Sequence, residues 1–312
     1  MSRAEVFGRN RPLLFSIAYR MTGSVMEAED AVQEAFLRWQ RTSEDEVRSP
    51  SAYLSKVVTH LCIDRLRSAT VRREQYVGPW LPEPVLGEQA QEIGGRAELE
   101  DTLSMAFLVL LESLTPVERA VFLLREVFDY EYAEIASLVG KSEANCRQIS
   151  RRARQSVAAR RPRFESTPEE EERLIEGFLQ ASLSGDMEAL LELLSDDVAL
   201  YSDGGGKTRA ALKPIYGADH VARFLTGIQH NIPPGLAVRR TRVNGRPGIV
   251  GYFGDGSPQS VVTLEGFTAS LSRLSIASGA TRQCTSSYHP RKPHPRTAND
   301  TNSAPSGSPR RA

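Results

Sequence analysis

The sequence predicts a multidomain protein: two all-α helical modules, then an α+β domain, then a disordered tail. Three observations predict it. Apolar residues recur at helical spacing through the first 75 residues, and a capped helical pair with a one-sided arginine face fills 111–163. From Thr167 onward, two more helical patterns give way to short strand-like runs. A length of 312 residues suits two or three domains.

The first module is expected over residues 5–76. Leu13, Leu14, Ile17, Ala18 and Met21 form one apolar stripe, ending near Thr22-Gly23. Ser24-Val25-Met26-Glu27 reads as a capping box, and Ala28, Ala31, Val32, Ala35 and Phe36 continue on one face. Ser49-Pro50 starts a third helix that buries Tyr53, Leu54, Val57, Val58 and Leu61, then turns cationic at Arg65, Arg67, Arg72 and Arg73. Residues 77–98, rich in Gly and Pro and containing Trp80-Leu81-Pro82-Glu83-Pro84, read as a linker.

The second module, 99–163, carries the most informative pattern. Thr115-Pro116-Val117-Glu118 combines a capping hydroxyl, a proline at the first helical position and a carboxylate at the third. Tyr132, Ile135, Ala136 and Val139 mark a short helix that Gly140 is placed to stop in the left-handed conformation. Ser142 then caps a helix with Cys146, Ile149, Ala153 and Val157 inward and Glu143, Asn145, Arg147, Gln148, Arg151, Arg152 and Arg154 outward. This is a helix-turn-helix with a basic second helix, so duplex DNA is the expected partner. Arg, Asn and Gln pair bidentately with purine edges; the early residues of the set are expected at bases and the later arginines at phosphates.

The third domain is expected over 167–265. Leu174, Ile175, Phe178, Leu179 and Leu183 make one helix, and Asp186 caps another containing Leu190, Leu191 and Leu194. Val198–Tyr201, Ile249–Phe253 and Val261–Leu264 read as strands, with a helix near Asp219–Ile228. From Gly266 to 312, Ser, Thr, Pro and Arg dominate without periodicity, and disorder is expected.

Lys plus Arg and Asp plus Glu both number 39, so overall basicity does not announce nucleic acid. Charge is segregated instead: Glu88, Glu92, Glu98, Glu100 and Asp101 lie together, whereas Arg147 to Arg163 is basic. Cys62, Cys146 and Cys284 are odd in number and far apart, with no metal-like or redox spacing. No metal or cofactor is expected, and a reducing cytoplasm is the simplest compartment. There is neither an apolar run of membrane-spanning length nor a signal-peptide pattern, so no membrane role is expected.

Two helical modules with a DNA-reading second module resemble bacterial sigma factors of the extracytoplasmic-function group. Ala28-Glu29-Asp30-Ala31-Val32-Gln33-Glu34-Ala35-Phe36 is similar to the segment that docks the β′ clamp helices of core RNA polymerase, which implies polymerase contact by Asp30, Gln33 and Glu34. Ala52-Tyr53-Leu54 with Asp64-Arg65-Leu66-Arg67 resembles the part that opens and reads the promoter −10 element, implying roles for Arg65, Arg67, Arg72 and Arg73. Tyr132-Ala133-Glu134-Ile135-Ala136 followed by 142–154 resembles the −35 reader, implying roles for Ser142, Asn145, Arg147, Gln148, Arg151 and Arg152.

Trp80 to Pro84 and Asp203-Gly204-Gly205-Gly206-Lys207 look like two signatures of the subgroup with a fused SnoaL-like α+β cone. The resemblance implies that this domain replaces a separate anti-sigma protein and contacts the linker, with Trp80 as its anchor. Such cones close with a regular strand and an Asn-Pro-Asp-Lys-Leu-like motif; neither is read after Leu264, which predicts an unpaired sheet edge and altered regulation.

Two rival classes are open. The cone fold also supports proton transfer, for which Asp196, Asp197, Tyr201, Asp203 and His220 are the available groups, although no spacing selects a base–donor pair. A conventional helix-turn-helix regulator would bind duplex DNA without polymerase.

Overall fold

The computed structural model describes residues 2–43, 47–73, 80–87, 101–159, 167–204, 210–229, 234–267 and 270–278. The first module is three helices, α1 (Arg3–Thr22), α2 (Val25–Arg41) and α3 (Pro50–Arg73). Gly23 ends α1 in the left-handed region, and Ser24 caps α2 by accepting the Glu27 N–H. The reciprocal half of the expected capping box comes from elsewhere: Thr22 Oγ1 accepts the Ser24 N–H at 3.3 Å, and Glu83 of the linker accepts the Val25 N–H at 2.9 Å and the Ser24 hydroxyl at 3.2 Å.

The second module follows a short 3₁₀ turn (Asp101–Leu103) with α4 (Met105–Leu111), α5 (Pro116–Glu126), α6 (Tyr132–Val139) and α7 (Glu143–Ala158). Thr115 and Glu118 form the expected reciprocal cap, which satisfies two otherwise orphaned N–H groups. Gly140, at φ 67°, turns the chain between α6 and α7.

The two helical modules share one apolar core that runs from Phe7 and Leu14 through Leu54 and Val58 to Leu111, Leu124 and Ile135. Polar bonds cross the same seam. Arg119 Nη1 donates to the Met21 carbonyl at 2.7 Å, Arg20 Nε to Thr102 Oγ1 at 3.2 Å, and His60 Nε2 lies 2.7 Å from the Leu138 carbonyl. Burial of Arg20 in this seam lowers its guanidinium to about 10.

The third domain packs α8 (Pro168–Ser184), α9 (Met187–Leu193) and α10 (Ala218–Gln229) against a six-stranded sheet of order β2-β1-β6-β5-β4-β3. Its strands are β1 (Leu194–Asp203), β2 (Ile215–Tyr216), β3 (Ala237–Val243), β4 (Arg246–Tyr252), β5 (Pro258–Phe267) and β6 (Ser270–Ser278). Leu174, Phe178, Leu200, Val221, Leu274 and Ile276 fill the space between helices and sheet.

Here one expectation is corrected. The α+β domain does not stop at 265: Ser270–Ser278 forms β6, parallel to β1 and antiparallel to β5, in the middle of the sheet. A strand does follow Leu264, paired on both sides. The register shifts between Glu265 and Gly266, so Leu271 and Leu274 both enter the helical core although three residues apart. That bulge breaks the period of two, and the intervening serines make the segment read as a polar tail. Gly266 suits the bulge, since a Cβ there would meet Leu174 Cδ1 at 2.4 Å and the Ser270 carbonyl oxygen at 3.0 Å. Residues 279–312 lie outside the described residues.

Candidate functional site

The second helix of the helix-turn-helix presents one polar face. Cys146, Ile149, Ala153 and Val157 are buried against the module, while Ser142, Asn145, Arg147, Gln148, Arg151 and Arg152 are all exposed. Ser142 accepts the Asn145 backbone N–H as the N-cap, so it sits at the end of the helix from which base edges are reached. Arg147 pairs with Glu143, and its guanidinium lies 4.7 Å from the centre of the Tyr132 ring. Arg154 pairs with Glu126 at 3.3 Å, back within the module.

On the first module, α2 turns Ala28, Ala31, Val32 and Ala35 inward and leaves Asp30 and Gln33 exposed, with Glu34 half-buried and paired to Arg38 at 2.9 Å. Arg65 donates to the Glu27 carbonyl at 2.6 Å and lies 3.8 Å from Asp30, so it braces α3 against α2. Arg67 is exposed. Arg72 and Arg73 lie in the last turn of α3, and their side chains are outside the described residues. The structure thus brings Arg65 and Asp30 together and keeps the α7 set as a separate face.

The linker runs between the first module and the α+β domain, and three side chains of that domain each accept one of its neighbours' backbone N–H groups. Asp203 Oδ2 accepts from Leu81 N at 3.0 Å, Asn244 Oδ1 from Val85 N at 2.9 Å, and Glu265 Oε1 from Ala106 N of α4 at 2.7 Å. The two signature segments, 80–84 and 203–207, therefore meet through Leu81 and Asp203. Leu81 is 5% exposed, packed with Met105, Ala277, Val109 and Tyr201. Trp80 is 42% exposed, and Leu81 is the more deeply buried of the two at this contact. Pro82 packs on Gly23, Pro84 is buried, and Glu83 caps α2 as described above. Gly204 is buried; Gly205, Gly206 and Lys207 lie outside the described residues.

Asn244 is the residue that sequence reasoning missed. Its side chain is fully buried and makes three bonds: it accepts from Val85, and Nδ2 donates to Tyr19 Oη at 2.8 Å and to the Leu103 carbonyl at 2.9 Å. Tyr19 in turn donates to the Glu83 carbonyl at 2.6 Å, and the Asn244 N–H donates to the Val85 carbonyl at 2.8 Å. One amide thus ties the β3–β4 turn to the first module, the linker and the start of the second module. Asn244-Gly245 between two strands is the strongest short hairpin signal a sequence offers, and it locates the turn. Its buried contacts depend on residues more than 140 positions away, as in the bond to Leu103.

The groups considered for proton transfer are not gathered. Tyr201 and Asp203 lie on the sheet face covered by Leu81 and α4, Asp196 and Asp197 are exposed, and His220 is exposed on α10. No helix among the described residues is long and apolar enough to cross a membrane.

The family models described as Sigma-70 region 2 and Sigma-70, region 4 match residues 6–72 and 104–157. The chain is 39% identical over 254 residues to the ECF RNA polymerase sigma factor SigJ of Mycobacterium tuberculosis, covering 78% of this chain and 81% of that protein. It is 32% identical over 245 residues to a probable ECF RNA polymerase sigma factor SigI of the same species, covering 78% and 82%. The crystal structure of the M. tuberculosis extracytoplasmic function sigma factor SigJ superimposes with a TM-score of 0.71 at 32% identity, covering 88% of this chain and 96% of that one.

Proposed function

The chain belongs to the ECF RNA polymerase sigma factors, which direct promoter-specific transcription initiation, and from that premise we propose that the structure is its restrained state, held closed by its own C-terminal domain. The observation that carries this reading is the shared core of the two helical modules. Promoter elements near −10 and −35 are about 25 base pairs apart, roughly 85 Å along B-DNA at 3.4 Å per pair. The longest helix, α3, spans only about 36 Å at 1.5 Å per residue. Modules that bury one core are held side by side, and engagement of both elements across that span calls for the seam to part.

In the working state, Asp30, Gln33 and Glu34 contact the β′ clamp helices of core polymerase. Arg65, Arg67, Arg72 and Arg73 serve the −10 region, and Ser142, Asn145, Arg147, Gln148, Arg151 and Arg152 serve the −35 element. Arg65 must exchange its bond to the Glu27 carbonyl for a nucleic-acid contact. The C-terminal domain acts in place of a separate anti-sigma protein, through Asp203 and Asn244 on residues 80–86 and Glu265 on Ala106 of α4. Three of the latch bonds accept from backbone amides, and Asn244 adds the Tyr19 hydroxyl and the Leu103 carbonyl, so the grip depends on the path of the linker as well as on side chains. The chain works in the cytoplasm, without covalent chemistry of its own.

Purified core RNA polymerase binding to the full chain and to a fragment ending at Ser166 tests this. Both should bind, the fragment more tightly. Equal affinities would remove the inhibitory role of the C-terminal domain, and no binding by either would remove the polymerase role.

Glu265 adds a pH dependence to the latch. Burial pushes its carboxyl above the usual range, opposed by Arg273, the Ala106 N–H and Arg246 and reinforced by Glu171. A carboxyl raised in the docked state binds more protons there than when released. Docking is therefore favoured as pH falls through the raised value toward the ordinary value of about 4.3, and is penalised above it. Glu265→Gln keeps an acceptor for Ala106 and removes the charge. At neutral pH this variant should bind core polymerase more weakly than wild type, and the gap should narrow as pH is lowered. A gap that does not change with pH would assign the effect to packing alone.

A further inference from the structure

Beyond the reading face itself, we propose that Tyr132 is a positioning residue for DNA recognition: its ring holds Arg147 in the geometry in which it meets a base. Tyr132 is the first residue of α6, at the end away from the Gly140 turn, and it reaches α7 through its side chain. Two guanidinium groups approach its ring, Arg147 at 4.7 Å and Arg125 at 5.2 Å from the centroid. Its hydroxyl donates to Ser150 Oγ at 3.2 Å, and Ser150 is fully buried on the inner side of α7. The ring is thereby fixed to the recognition helix at one end while its face carries the arginine.

Charge around the ring is balanced, which lets two cations share it. Arg147 pairs with Glu143, and Arg125 lies 3.4 Å from Glu131 and donates to the Tyr130 carbonyl at 3.0 Å. A guanidinium over an aromatic face is attracted by the ring quadrupole, modestly at an exposed site. The larger consequence is geometric. Arg147 has a long, mobile side chain, and ordering such a side chain on docking is costly unless it is already ordered. With Glu143 on one side and the Tyr132 ring beneath, its rotamers are restricted before DNA arrives, as the fork geometry of a bidentate contact requires.

The proposal rests on the −35 reading of α7, and the test separates the two. The probe is a duplex library with a randomised upstream window, bound by the full chain together with core RNA polymerase and read by sequencing the bound fraction. Wild type should enrich an upstream motif with one position sensitive to Arg147→Ala. Tyr132→Leu should weaken discrimination at that position by about threefold to fivefold, with other positions unchanged. In the Arg147→Ala background it should have no further effect. Tyr132→Phe, which keeps the ring under Arg147 but loses its tie to Ser150, should retain most of the discrimination and fall between wild type and Tyr132→Leu. A loss spread evenly over all positions, or one that persists without Arg147, would overturn the positioning role and leave Tyr132 as core packing. Absence of any upstream motif in wild type would overturn both this role and the −35 reading.

Discussion

Asn244→Gly should shift the chain toward its open form and raise its affinity for core RNA polymerase by about tenfold or more. The substitution removes three buried side-chain bonds at once and leaves the Val85 N–H without its acceptor and the Leu103 carbonyl and the Tyr19 hydroxyl oxygen without the donor they share. A buried polar group left without its partner costs about 1–3 kcal/mol. In the open form the same groups meet water, so the cost falls on the closed form alone, and about 1.4 kcal/mol already corresponds to a factor of ten. Glycine is the clean replacement because Asn244 sits at φ 53°, where most side chains are strained. Asn244→Asp is the graded control. It keeps an acceptor for Val85 but loses both donated bonds and sets a carboxylate against the Leu103 carbonyl, so it should also open the chain. Core-polymerase titration together with thermal melting decides the matter. A lower melting temperature with unchanged polymerase affinity would make Asn244 a hairpin residue and nothing more.

The sequence was legible where a local rule decides the outcome. The Thr115–Glu118 cap, the Gly140 turn and the inward stripe Cys146, Ile149, Ala153 and Val157 appear where their spacing puts them, because each depends on neighbours within one or two turns. Alternation and composition failed at β6, where a bulge resets the face and serines fill one side. That side is covered by Leu81 and α4 rather than by water, so polar residues are buried there. The latch was legible only in outline. The segments 80–84 and 203–207 could be named from resemblance, but which of Trp80 and Leu81 turns inward is fixed by the path of a linker between two domains. Asn244 shows the same limit: its turn is written in two letters, and its partners belong to three other parts of the chain.

Arg147→Ala should lower discrimination at one base pair of the −35 element by about 1–3 kcal/mol, roughly fivefold to 150-fold, while leaving the others nearly unchanged. Arg147 lies in the first turns of α7, the end that enters the groove in a helix-turn-helix, and is exposed in the closed chain. Its pair with Glu143 is an exposed ion pair within one helix, worth well under about 1 kcal/mol, so releasing it opposes DNA contact only weakly. The alternative role is a phosphate contact, which carries no sequence information. The two roles differ in a second measurable way. Loss of a phosphate contact weakens binding evenly over all sequences and reduces the salt slope by about one. Loss of a base contact leaves the slope nearly unchanged and makes the base pair at that position interchangeable. Arg151 and Arg152, about one turn further along, should show the first pattern, and comparing the three variants on one duplex set distinguishes a reading face from a merely basic one.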